Sequence, residues 1–290
     1  MKSQAKSAPK KRMGSPKSGS PLKIGIIGLG KMGEALVRGF ARSQEAFSIQ
    51  ATTRSPESAR EAHKRIKVDC HTDNAKVARE CEVIVLCVKP HQVKALLEPI
   101  AAELSSRHTL ISICASVTTA QLSEWGGGRC AVIRAMPNTP SLIGEGMTAF
   151  SPGPRAQSPQ LAIAERIFST VGQTASVEEH LMDGVTGLSG CGPAYVYMII
   201  EALSEAGVKV GLPRKTATLL AAQTLLGAAK MVIERGEHPA ALKDEVTTPA
   251  GCTIDGLMAL EEGKLRVTLI KAVLAATKRS KTLRGPAVNS

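Results

Sequence analysis

Leu22-Lys-Ile-Gly-Ile-Ile-Gly-Leu-Gly-Lys-Met-Gly33 is the stretch from which the fold is read. An apolar run, Leu22 to Ile27, leads directly into Gly28, Gly30 and Gly33 in G-x-G-x-x-G spacing. A helix-period segment follows, with Met32, Leu36 and Phe40 on one face and Ala35 and Gly39 beside them. A buried strand, a tight turn and a helix N-terminus in that order form a site for a dinucleotide pyrophosphate. Gly28 permits the turn, Gly30 lets the backbone approach the phosphates, and Gly33 lets the helix pack closely on the strand. Free N–H groups and the helix dipole attract the anion. Lys31 and Met32, in the first helical turn, belong with the three glycines to the expected cofactor-binding set.

Outward from this stretch, apolar strands alternate with helical periods as far as residue 178, the pattern of a parallel sheet with crossover helices. Strands are expected near 22–27, 48–52, 67–70, 82–88, 109–114, 130–135 and 146–150, and helices near 31–42, 56–64, 73–80, 91–104, 118–124 and 158–171. Beyond 178 the strand signals stop. Ala- and Leu-rich helical periods follow near 181–187, 193–209, 214–235, 239–246, 253–261 and 265–283. The fold class is therefore α/β, a doubly wound sheet followed by an all-α domain. Its parts are a disordered basic tail (1–20), a dinucleotide-binding domain (21–178), a helical domain (179–284) and a flexible end (285–290). The segment 214–235 is apolar over much of its circumference, which predicts burial against another subunit, the alternative being the central helix of a monomeric bundle.

Composition narrows the function classes. The net charge of +12 over 290 residues suggests nucleic acid until it is located. Lys2, Lys6, Lys10, Lys11, Arg12, Lys17 and Lys23, more than half of that excess, precede the first acidic residue, Glu34. The folded remainder is mildly basic, which suits small anions. Aromatic residues are only 2%, so base stacking has little to work with and no nucleic-acid partner is expected. No uninterrupted apolar run approaches the ~20 residues of a bilayer span, so no membrane partner is expected. The seven cysteines include no C-x-x-C pair, and the six histidines form no cluster with them at metal spacing. Reduced thiols, a cytoplasmic location and no metal follow. Organellar import by the basic leader stays open, although it is rich in Lys rather than Arg.

Cofactor choice is read at the end of the second strand. An NAD-type site has Asp or Glu about 20 residues after the last glycine. Here Thr53, Arg54 and Ser55 occupy that place. A guanidinium and two hydroxyls bind a 2′-phosphate that a carboxylate would repel, which predicts NADP(H) over NAD(H). Val88-Lys89-Pro90-His91 and Arg134-Ala-Met-Pro-Asn-Thr-Pro140 leave two further strands at the same edge, where ligands of doubly wound sheets bind. Either alone is also compatible with turn chemistry. His91 and His238 read as structural.

Leu188-Ser-Gly-Cys-Gly-Pro-Ala-Tyr195, Asp244-Glu-Val-Thr-Thr-Pro-Ala-Gly-Cys-Thr-Ile-Asp-Gly-Leu257 and Leu260-Glu-Glu-Gly263 resemble the C-terminal domain of pyrroline-5-carboxylate reductase. Val132 to Pro140 and Val88 to His91 are similar to other motifs of that family, and the resemblance covers about 22–284. It implies reduction of 1-pyrroline-5-carboxylate to L-proline, the last step of proline biosynthesis, by NADPH, with NADH possible. It also implies a Rossmann domain followed by a helical domain that forms homodimers, often assembled into decamers. Carried over by position, Thr253 lies at the ring nitrogen, Lys89 and Glu237 in the substrate region, and Asn74 near the ribose and its 2′-phosphate. Thr253 and Lys89 are thus the implied catalytic residues, and Glu237, Ala250, Gly251 and Cys252 join Thr253 in binding substrate. Pro249 to Thr253 opens a helix, whose free N–H groups suit the substrate carboxylate. The bland alternative for Thr253 is a helix cap.

Two departures stand out. Cys191 sits where the family commonly has Ser, and Cys252 where it commonly has Ala or Thr; oxidant sensitivity is one expectation and inert buried thiols the other. Two other functions fit the first domain. An NADP-dependent 3-hydroxyacid-type dehydrogenase would carry Lys and Asn on one inter-domain helix, and 193–209 contains no Asn. A non-catalytic NADP(H)-binding protein would bind cofactor without turnover.

Overall fold

The computed structural model describes residues 20–283. The expectations for the basic leader and for 285–290 lie outside the described residues, apart from Ser20. Strand β1 (Leu22–Ile27) is buried from Ile24 onward and pairs in parallel with β2 (Phe47–Thr52) on one side and β4 (Val83–Leu86) on the other. Outside β2 lies β3 (Asp69–His71), and beyond β4 come β5 (Thr109–Ser112), β6 (Ala131–Met136), β7 (Gly146–Pro152) and β8 (Gly172–Ser176). The order β3-β2-β1-β4-β5-β6-β7-β8 reverses between β1 and β4, and this opens a crevice at the carboxyl ends of those strands.

Helices cover both faces, so the central strands carry Val, Ile and Leu without alternation. On one face α1 (Lys31–Arg42) and α6 (Ser158–Ser169) bring Leu36, Phe40, Ile167 and Phe168 onto Ile24, Ile26 and Val85. On the other, α3 (Asn74–Glu80), α4 (Val93–Ile100) and α5 (Thr119–Trp125) pack Val77, Leu97 and Leu122 against Ile84, Leu86 and Leu110. Helix α2 (Pro56–Ile66) begins at Ser55, whose hydroxyl accepts a hydrogen bond from the Ser58 N–H at 3.2 Å.

Three expectations are corrected. Strand β7 runs antiparallel to β6, against the parallel reading. Only residues 137–145 join the two strands, mostly as a 3-10 turn (Thr139–Ile143) ending at Gly144 with φ 84°; a parallel return needs a crossover of a dozen residues or more. Strand β8 was not foreseen, because Gly-Gln-Thr-Ala-Ser has no apolar run and pairs only at the sheet edge. The helix expected over 91–104 is broken, with a 3-10 turn (Pro90–Gln92) before α4 and another (Ala101–Glu103) after it.

The rest is helical: α7 (Met182–Val185), a π-helical turn (Thr186–Gly190), α8 (Gly192–Lys209), α9 (Arg214–Arg235), α10 (Pro239–Glu245), α11 (Cys252–Glu262) and α12 (Leu265–Leu283). Helix α8 packs along α9, and α12 returns to α7 and the π-helical turn. This unit has little core of its own. Ala217 and Ala221 are the buried residues of α9, whereas Leu219 is 67% exposed and Met198 on α8 is 71% exposed. Among the described residues, α9 alone is also long and apolar enough to cross a bilayer, because its few charged residues lie near its ends.

Candidate active site

The crevice is a cleft of about 1120 Å³ along the carboxyl ends of β1, β2, β4 and β5. Its floor is the glycine turn, where the three glycines are required for different reasons. Gly28 has φ 98°, and a Cβ there would lie 2.9 Å from the Cys87 carbonyl. A Cβ on Gly33 would lie 2.5 Å from the Gly28 carbonyl, so α1 could not seat. Gly30 is different. Its φ is −83° and a Cβ there would meet nothing within 4 Å. No protein atom requires a glycine at this position, so the space it leaves at the start of α1 suits an external anion.

Of the expected cofactor residues, Gly28, Gly30, Met32, Thr53, Arg54, Asn74, Val88, Lys89 and Pro90 line the cleft. Gly33 supports the turn from beneath, Lys31 is exposed at the first position of α1, and Ser55 caps α2; none of these three is in the wall. The Thr53 hydroxyl donates to the Ser55 carbonyl at 3.1 Å, which fixes the bend that projects Arg54. Arg54 is exposed and forms no ion pair among the described residues. Asn74 opens α3 behind Asp73, whose carboxylate accepts from the Lys76 N–H at 3.0 Å and is held below the ordinary carboxylate range chiefly by that bond. The Lys89 N–H donates to Gln92 Oε1 at 3.2 Å, pinning the loop after β4.

Sequence reasoning missed part of the wall. Ser58, Glu61, Ala62 and Arg65 face the cleft from α2, and their i, i+3, i+4, i+7 spacing was a legible sign of one helical face. Arg65 is tied by hydrogen bonds to Glu34 on α1. His91, read as structural, also lines the cleft, and Ile113, Cys114 and Ala115 close its far end. Burial pushes the Cys87 and Cys114 thiols upward in pKa, and the Cys114 thiol donates to the Val88 carbonyl at 3.0 Å. Both are packing groups there rather than nucleophiles.

The expected substrate residues do not join this cleft within one chain. Glu237, Ala250, Gly251, Cys252 and Thr253 are absent from its wall. Glu237 lies instead in the connection between α9 and α10, and Ala250 to Thr253 at the turn into α11. Glu237 accepts from Arg235 at 2.7 and 2.9 Å, and Arg235 also binds Glu245, whose carboxyl is thereby held below its usual range. Ala250 has φ 55°, a left-handed conformation at the turn into α11. Gly251 is the N-cap of α11 and provides no side-chain cap. Thr253 sits at the second helical position, outside the capping place. In the single chain Cys252 is exposed and Cys191 half-buried. The His238 ring accepts from the Ala240 N–H at 3.2 Å and caps α10.

The doubly wound sheet, the glycine turn and the cleft beyond it define a Rossmann-type, dinucleotide-dependent oxidoreductase with a helical appendage. Residues 23–116 match the family described as NADP oxidoreductase, coenzyme F420-dependent, and residues 179–283 match pyrroline-5-carboxylate reductase dimerisation. A pyrroline-5-carboxylate reductase of Arabidopsis thaliana is 41% identical over 263 residues, covering 90% of this chain and 95% of that protein. Among solved structures, a Coxiella burnetii pyrroline-5-carboxylate reductase is 37% identical, covers 91% of this chain and 98% of its own, and superposes with a TM-score of 0.85. A Plasmodium falciparum pyrroline carboxylate reductase with NADP bound is 35% identical, covers 92% of this chain and 100% of its own, and has a TM-score of 0.81. The chain belongs to the pyrroline-5-carboxylate reductase family.

Proposed function

We propose that the protein reduces L-1-pyrroline-5-carboxylate to L-proline with NADPH, the last step of proline biosynthesis, at a site completed by two copies of the chain. The observation that carries the reading is the dimerisation match over 179–283, on helices whose apolar faces are uncovered in the single chain. The bilayer alternative for α9 is disfavoured by the same match.

When bound, the cofactor supplies the hydride. The protein's part is alignment and electrostatic support. The first N–H groups of α1, at Lys31 and Met32, hold the pyrophosphate over Gly30. Arg54, with the Thr53 and Ser55 hydroxyls beside it, takes the 2′-phosphate, and Asn74 bonds the ribose. Val88, Lys89 and Pro90, in the cleft wall after β4, would hold the nicotinamide, and Ala115 closes the cleft beyond them. A second copy brings its Ala250–Thr253 turn over that end. There the N–H groups opening α11 bind the substrate carboxylate, the Thr253 hydroxyl bonds at the ring nitrogen, and Lys89 and Glu237 balance charge around the substrate. Assembly of dimers into a decamer is the further step the resemblance implies, and light scattering on the purified protein reads it. All seven cysteines are free thiols, which suits the cytoplasm.

The test is oxidation of NADPH and of NADH by the purified protein with pyrroline-5-carboxylate, repeated on Thr253→Ala. Both cofactors are expected to support turnover, NADPH better. The variant should lose about 10- to 100-fold in kcat/KM, the worth of one hydrogen bond to a charged group. Cofactor binding without turnover would overturn the reading in favour of a non-catalytic NADP(H)-binding protein, and normal turnover by the variant would remove Thr253 from the site.

A further inference from the structure

The junction between the sheet and the helical unit holds a charged cluster in its interior. Arg134, on β6, is 1% exposed, and Asp183, on α7, is fully buried. The Arg134 guanidinium lies 3.8 Å from Asp183 Oδ1 and 3.7 Å from Glu179 Oε1. Ser280, near the end of α12, donates to Asp183 Oδ1 at 2.9 Å. The Glu179 carboxylate accepts from the Thr119 N–H at 2.7 Å and from the Thr119 hydroxyl at 2.5 Å, at the start of α5. The cluster closes on the cleft through Ser116, whose hydroxyl donates to the Ser280 carbonyl at 3.3 Å. Ser116 is buried in a left-handed conformation, φ 63°, directly after Ala115 in the cleft wall.

Burying a guanidinium and a carboxylate is a poor route to stability, because desolvation offsets most of the attraction and apolar replacements often do as well. What such a pair does well is to accept one arrangement and reject neighbouring ones. Here the arrangement joins β6, the β5–α5 connection, α7 and α12, so that the cleft wall at Cys114–Ala115 and the orientation of the helical unit are set together.

Resting on the reductase reading above, we propose that Arg134 and Asp183 are positioning residues for hydride transfer. Through Ser280 and Ser116 they fix the cleft wall against which the nicotinamide lies and the angle at which the helices that recruit the second copy leave the sheet. Neither touches cofactor or substrate. They act through the backbone they hold.

The test is the double variant Arg134→Met/Asp183→Leu in the full-length protein, which removes both buried charges at once and leaves neither alone. Four quantities are measured against wild type: melting temperature, NADPH affinity by fluorescence titration, kcat, and the isotope effect on kcat with NADPH deuterated at the transferred position. The expected result is a melting temperature and NADPH affinity close to wild type, with kcat about tenfold lower and a larger isotope effect, because misalignment slows the hydride step itself. A folded double variant with wild-type kcat and isotope effect would overturn the proposal. Ser280→Ala keeps both charges and loses only the link, so it decides the matter if the double variant does not fold. About a threefold fall in kcat at unchanged NADPH affinity supports the proposal, and unchanged kcat overturns it. Wild-type protein that fails to reduce pyrroline-5-carboxylate sinks the reductase reading, whereas a variant equal to an active wild type sinks only this inference.

Discussion

Gly30 and Gly33 lie three residues apart in one motif, yet they make opposite predictions. A side chain at Gly30 meets open space at an unstrained φ, so Gly30→Val should fold with an unchanged melting temperature. It should lose NADPH affinity by about 10-fold or more, because the valine occupies the approach of the phosphates. Fluorescence titration beside thermal melting separates the two effects, and wild-type affinity would place the pyrophosphate elsewhere. At His108, 1% exposed, the prediction concerns pH. Nδ1 accepts from the Ser105 N–H at 2.9 Å, so Nε2 carries the proton and donates to the Ala78 carbonyl at 3.0 Å. Burial, the leading cause, holds the ring below its ordinary value of 6.5. The folded state therefore refuses a proton that the unfolded chain accepts as pH falls past that value. Stability from this group is intact above pH 6.5 and is lost on acidification until the folded-state pKa is reached, at no more than about 1.4 kcal/mol per pH unit. Thermal unfolding at pH 7 and pH 5 should show the loss. His108→Gln should be less stable at pH 7 but should lose less on the way to pH 5.

At the scale of elements, the parallel core was legible because a strand covered on both faces must be apolar throughout, as Val83 to Leu86 are. Direction was less legible: nothing in the residues of β7 says which way it runs. What does say so is the shortness of the 137–145 connection, too short for a parallel crossover. Strand β8 lacked any apolar run to mark it. The cleft wall was readable as far as Arg54, since glycine spacing and strand ends are local features, whereas Asn74, which also lines it, came from the family resemblance. The face of α2 carrying Ser58, Glu61 and Arg65 was missed because a polar helical face looks like any solvated one. Helix α9 carries the prediction at this scale. In an isolated chain Leu219, 67% exposed, could become Asp at little cost. In an assembly that covers α9, a buried unpaired carboxylate costs several kcal/mol. Leu219→Asp should therefore lower the molecular mass seen by sedimentation and abolish turnover, while far-ultraviolet circular dichroism and NADPH binding survive. An assembled, active variant would show that α9 is covered by something other than a second copy.

For the whole molecule, the question is in which chain the expected cofactor and substrate residues meet, since Thr253 does not line the cleft of its own chain. Most of the expected cofactor residues line the cleft, whereas Thr253, in the first turn of α11, is absent from its wall. A sequence reading can bring the two sets together by motif, but it cannot say in which chain they meet, because that is a property of the assembly. Complementation settles it. Gly30→Val weakens the cleft and Thr253→Ala the helix turn, so at NADPH and pyrroline-5-carboxylate concentrations below the wild-type KM each pure variant should run at about a tenth of the wild-type rate or less. When the two are unfolded together in equal amounts and refolded, about half the dimers are mixed if pairing is random. If each site takes its cleft from one copy and its Thr253 from the other, every mixed dimer has one site with both parts intact. The mixture should then run at about a quarter of the wild-type rate per chain at those same subsaturating concentrations, above either component alone. If each site is built within a single chain, no pairing restores one, and the mixture should be as inactive as its components.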